Sequence, residues 1–192
     1  MALELNGTTG VSLVQDGVVT AADLASGAIT ASALPAGSIV AAKYDSYTAA
    51  ASYSLASGDA QNVTELSITH TATGSNQIIL IASISAYSLS SNSGFVFLSD
   101  GALVGDRGDA AGNRIRVVSG AHSRGEVSAQ YATPMNGSVQ FTPSSGSHTY
   151  TIALVNVRTS TDTVYINRSS GDTDQESYYR SMSSLILLEV AV

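Results

Sequence analysis

Along this chain the spacing of apolar positions changes once, near residue 60. Before it, apolar side chains are sparse and recur with a period of ten: Gly7, Gly17, Gly27 and Gly37 are followed two residues later by Thr9, Val19, Ile29 and Ile39, and Val14, Leu24 and Leu34 stand seven after the first three. One copy of such a repeat cannot bury its own apolar positions, so it must stack on other copies, in this chain or in others. Two conformations fit it. Thr20–Leu24 and Thr30–Leu34 read either as single Thr-capped helical turns or as extended segments wound with sister chains into a stalk. Residues 1–45 are therefore expected to form a short N-terminal stem, with Val19, Leu24, Ile29, Leu34 and Ile39 as its attachment positions. Residues 41–58 read as a junction, with Tyr44, Tyr47 and Tyr53 spread through Ala and Ser.

Beyond residue 60 the pattern turns to short apolar stretches separated by polar turns, the signature of a sandwich or barrel. Strands are expected over 62–70, 77–86, 94–99, 113–119, 127–133, 138–141, 148–156, 163–167 and 184–192. Turn chemistry separates several of them, as in Ser99-Asp100-Gly101, Met135-Asn136-Gly137 and Pro143-Ser144-Ser145-Gly146. In 148–156 the alternation predicts Tyr150, Ile152, Leu154 and Asn156 on one face, with Thr151, Ala153 and Val155 on the other. The last segment, Ser183 to Val192, is apolar at nearly every position, which predicts a central strand covered on both faces. The fold class is all-β: an antiparallel β-sandwich head over 46–192 behind the stem.

Composition narrows the function. Charged residues make up 12% of the chain and hydrophobic ones 44%, which is not a disordered balance. A net charge of −7 opposes a nucleic-acid partner, because a phosphate-tracking surface needs clustered cations. Without cysteine there are neither disulfides nor thiolate metal sites. No basic-then-apolar leader opens the chain and no apolar run reaches bilayer length, so neither export by the common route nor membrane insertion is expected. The one lysine is Lys43, and all seven arginines lie at 107 or later; guanidinium suits interface ion pairs better than ammonium does.

Chemical motifs are thin. His70, His122 and His148 stand among many Ser and Asp, without a Gly-x-Ser-x-Gly elbow or a His-Glu-x-x-His helix. The acids of Asp172-Thr173-Asp174-Gln175-Glu176 lack the turn glycine and distal glutamate of a calcium hand, and read instead as a loop facing Arg168 and Arg180. Arg107-Gly108-Asp109 matches an adhesion tripeptide but reads as turn chemistry between Gly105 and Gly112. No catalytic residue, metal or cofactor is assigned. Tyr178, Tyr179 and Arg180, with Leu185, Leu187 and Val190, are the expected contacts between copies, since tyrosine anchors interfaces at small entropy cost.

Laid out as strands, the chain resembles the trimeric jelly-roll heads of the tumour-necrosis-factor and complement-globular-head type, in the version carried by bacteriophage fibre and virion-surface proteins. The resemblance rests on Ile78–Ser85, Gly94–Leu98, Gly105–Arg114, Thr163–Arg168 and the terminal strand, and the N-terminal decads look like phage fibre stems. It implies a homotrimer with the last strand along the threefold axis, at the surface of a virion. Burying ~1,000 Å² of apolar surface per chain would contribute roughly 25 kcal/mol before entropy costs. The stem would seat on another virion protein, and the head's loops would meet a host surface glycan or protein. Three functions follow in order: a tail-fibre or receptor-binding protein, a capsid decoration protein that stabilises the shell, and a carbohydrate-active depolymerase. The last would need a pair of carboxylates in a groove, and none can be picked from the sequence.

Overall fold

A computed structural model describes residues 5–6, 10–11, 33–88, 92–110, 112–122, 133–169, 171 and 180–192. The chain divides into two compact units, Met1–Pro35 and Ala36–Val192. In the first, β1 (Leu5–Asn6) pairs antiparallel with β2 (Gly10–Val11); Val19, Leu24 and Ile29 lie outside the described residues, and Leu34 is at the unit's end.

The second unit is an antiparallel β-sandwich. Its first sheet is built from β3 (Ile39–Tyr47), β4 (Ala51–Leu55), β6 (Gln77–Ser88), β10 (Thr133–Phe141), β12 (Asp162–Ile166) and β13 (Ser183–Val190). β13 lies between β3 and β6, β10 takes the other side of β6, and β12 continues the β13 row between β4 and the end of β6. The second sheet runs β5 (Ala60–Ala72), β11 (Gly146–Asn156), β7 (Asn92–Ser99), with β8 (Ala102–Val104) and β9 (Ser119–His122) both pairing β7. Among the described residues there is no α-helix.

The inner faces meet in one core, where Leu80, Ile84, Phe95, Phe97, Met135, Tyr150, Ile152, Leu154, Leu185 and Leu187 are buried. The alternation read along β11 holds: Tyr150, Ile152 and Leu154 enter this core, while Ala153 and Val155 join a smaller cluster with Val96 and Leu98 on the far side of the second sheet. Thr151 instead mends a bulge. The β11–β5 register jumps between Thr151 and Ile152, and the Thr151 hydroxyl donates toward the carbonyls of Val63 and Leu66 that the jump leaves unpaired, at 2.8 and 2.9 Å.

Four expectations need correction. The stretch 39–55 forms two strands, so a boundary at 45 falls inside β3, and Ile39 belongs to the sandwich instead of a stem. Residues 113–118 are irregular, and the strand begins only at Ser119. Met135-Asn136-Gly137 is no turn but the middle of β10. Its glycine is needed for a neighbour, since a Cβ on Gly137 would lie 2.7 Å from Val118 Cγ1. Finally, β13 is buried on one face only: its odd positions are buried and its even ones half-exposed. The expected strand over 127–133 falls mostly outside the described residues.

Candidate functional site

Among the described residues an apolar surface lies on the outer face of the first sheet, and its composition follows from register. On β13 the even positions point outward, and Ile186 stands between Tyr44 of β3 and Ile81 of β6. One step along, Leu188 stands between Ala42 and Ile79, and then Val190 between Ile39 and Gln77. Ile39 and Tyr44 are 58% exposed and Ile81 38%. Toward β10 the face turns polar, with Ser138 beside Ile81 and Gln140 beside Ile79. Cross-strand apolar neighbours of this kind form a continuous patch on a sheet whose other side already packs the core.

This geometry redistributes the expected contact residues. Leu185 and Leu187 are fully buried in the chain's own core, while Ile186 and Leu188, of the opposite parity, lie on the outer face. Val190 does lie on the outer face. Arg180 is exposed, and its backbone bridges to Arg168, whose guanidinium stacks 4.4 Å above the Tyr165 ring. Tyr178, Tyr179 and the acidic stretch 172–176 lie outside the described residues. Tyr44 was legible as an aromatic in a junction, but its place on this face required β3 to be seen as a strand.

Charge enters β13 from the buried side. Glu189, 4% exposed, accepts from His70 Nε2 at 2.8 Å, Thr73 Oγ1 at 3.0 Å and Asn76 Nδ2 at 3.1 Å. Burial alone would push its carboxyl pKa up; the hydrogen bonds from His70, Thr73 and Asn76 outweigh that and hold it below the ordinary value. The cluster ties the end of the last strand to the β5–β6 turn.

A second histidine sits in an arrangement resembling a hydrolytic triad. His148 Nδ1 is 2.7 Å from Asp100 Oδ2, and Nε2 is 3.4 Å from Ser144 Oγ. Nε2 is closer, at 3.0 Å, to the Ser144 carbonyl oxygen. Both ring nitrogens therefore face acceptors, an arrangement that favours the doubly protonated ring, and in that form no lone pair is left to take a proton from Ser144. The Asp100 carboxylate, then the Ser144 carbonyl, accordingly raise the His148 pKa. Asp100 is held low by the Thr149 amide and by His148. The trio is a clamp between the β7–β8 and β10–β11 turns. Among the described residues no group of three or more His, Asp or Glu is placed to hold a metal ion.

No protein-family model and no characterised protein matches this chain.

Proposed function

We propose that the chain is a non-enzymatic structural protein of a bacteriophage virion, a homotrimer of the tail-fibre or receptor-binding type that projects its sandwich from the particle. The observation that carries this reading is the apolar outer face around Ile186, Leu188, Ile79, Ile81 and Tyr44, centred on the C-terminal strand. The two packed antiparallel sheets, with rows β3–β13–β6–β10 and β5–β11–β7 flanked by β8 and β9, are consistent with the β-sandwich head that the sequence resemblance implies. The resemblance implies a trimer with the last strand along its axis, so the outer face of the sheet holding that strand is the surface we assign to association, and obligate interfaces are rich in apolar side chains. Residues 1–35, which carry most of the ten-residue repeats, are assigned to attachment on another virion protein.

Mass in solution tests the assembly. Light scattering on the purified full chain is expected to return three times its 19.6 kDa; a folded species of 19.6 kDa overturns the reading. Antibody raised to the sandwich tests the role, since it should block adsorption of particles to their host. Undiminished adsorption by antibody-coated particles would move the protein to shell decoration.

A further inference from the structure

On the far side of the sandwich, the segment after β8 doubles back over the outer face of the second sheet. Gly108 N donates to Val117 O at 3.1 Å, and Arg116 Nε donates to Gly108 O at 2.5 Å, so the loop containing Arg107-Gly108-Asp109 is stitched to itself. Val117 seats on Gly94, where a Cβ would stand 2.7 Å from Val117 Cγ1. Between this loop and the sheet lies a cleft of about 330 Å³. Val96 and Val155, both nearly buried, form its floor, and Leu103 and Ile115, 51% and 39% exposed, offer apolar walls.

Arg107, Arg114 and Arg116 also line that cleft. They are three of only eight basic residues in a chain of net charge −7. No carboxylate among the described residues forms an ion pair with any of them, although exposed Asp106 and Asp109 flank Arg107 in sequence. The Nε bond to Gly108 fixes the Arg116 guanidinium and leaves its terminal nitrogens to donate elsewhere. Like charges gathered at one concavity repel one another until an anion arrives, and guanidinium forks match the planar oxyanions of carboxylate and sulfate.

We propose that this cleft binds an acidic sugar, a hexose ring bearing a carboxylate or sulfate, within a surface polysaccharide. Such a ring carries the two features the cleft complements: an oxyanion for the arginines and a flat C–H face for Leu103 and Ile115. The volume suits one or two rings. An acidic peptide side chain supplies the charge without the rigid apolar plate, and a densely charged polyphosphate is repelled by the chain's net charge. The inference names the ligand class for the exposed head in the reading above and rests on that reading for its biological place, though binding itself needs only the cleft.

The test is calorimetric titration of the full-length protein with a glucuronate oligosaccharide, a sulfated oligosaccharide, a neutral glucan of equal length, an acidic peptide and inorganic phosphate. One or both acidic sugars should bind, and the arm that responds identifies the oxyanion. Neither the neutral glucan, the acidic peptide nor phosphate alone should compete. Arg107→Gln and Arg114→Gln, which remove no hydrogen bond seen in the fold, should each weaken binding by about tenfold without changing the unfolding temperature. Binding also falls as salt rises. Equal binding of the neutral glucan, preference for the acidic peptide, unchanged affinity in both variants, or no heat from any sugar up to about 10 mM overturns the proposal. Mass measured on the same sample separates the two conclusions: a monomer that binds acidic sugar sinks the trimer and keeps the cleft, and a trimer that binds none does the reverse.

Discussion

Two residues show how single side chains hold irregular backbone in this sandwich. Asn167 sits where the row passes from β12 toward β13, with φ at +58°, and is fully buried. Its amide donates to Tyr47 O at 2.6 Å and Ala49 O at 3.0 Å, closing the gap between β3 and β4, while its Oδ1 accepts from Ser183 Oγ at 2.7 Å. Asn tolerates the left-handed region, and here it also supplies the donors that the broken ladder lacks. Asn167→Ala strands two carbonyls and should lower unfolding stability by roughly 2–4 kcal/mol; Asn167→Gly relieves the backbone but not the lost donors and should stay well below wild type in a denaturant titration. The clamp at His148 carries a different signature. Its folded pKa is raised above 6.5, so its contribution is fully present below pH 6.5 and is lost as pH rises through the folded value. The ring-proton titration followed by NMR should have its midpoint above 6.5, and Asp100→Asn should bring it back down.

At the scale of single elements, β13 shows what was legible in the sequence and what was not. A run of Leu-Ile-Leu-Leu-Glu-Val-Ala-Val announces a central strand, and the strand is central. With apolar residues at both parities, however, nothing in the run tells which set faces the core, and its only charge misleads: Glu189 lies on the buried parity, held by partners more than a hundred residues away. No sequence pattern marks β3 and β4, because Ala, Ser and Tyr give little periodicity, whereas β11 is readable because its alternation is clean. Gly137 looked like turn chemistry, but its role is steric. Parity makes the proposed association face testable with adjacent residues. Leu187→Ala empties core space and should cost about 2–5 kcal/mol in chemical unfolding. Ile186→Glu, one position away, should leave the secondary structure by circular dichroism intact and reduce the mass in solution to that of a single chain. An I186E protein that still assembles would take the face out of the association.

For the molecule as a whole, the proposed association could rest on either unit. The ten-residue repeats of the first unit cannot satisfy themselves, and neither can the outer face of the first sheet, so either could drive association. The sandwich has the means to fold without the first unit. Among the described residues its buried core begins at Leu55, β3 is paired along its length by β13, and Gly37 N and Ala191 N tie the two ends of the unit to each other by bonds of 2.8 Å to Ala191 O and 2.9 Å to Ser38 O. A chain beginning at Ala36 is therefore expected to unfold in one cooperative transition. Removing Ser183–Val192 instead deletes a strand from between β3 and β6, and should leave no cooperative transition at all. If the apolar face carries association, the 36–192 chain keeps the threefold mass of the full chain in light scattering, and adding Ile186→Glu to it yields a folded monomer. If it is already a folded monomer without that substitution, the repeats are the associating element, and Ile186, Leu188 and Tyr44 must be explained as a surface for a different protein.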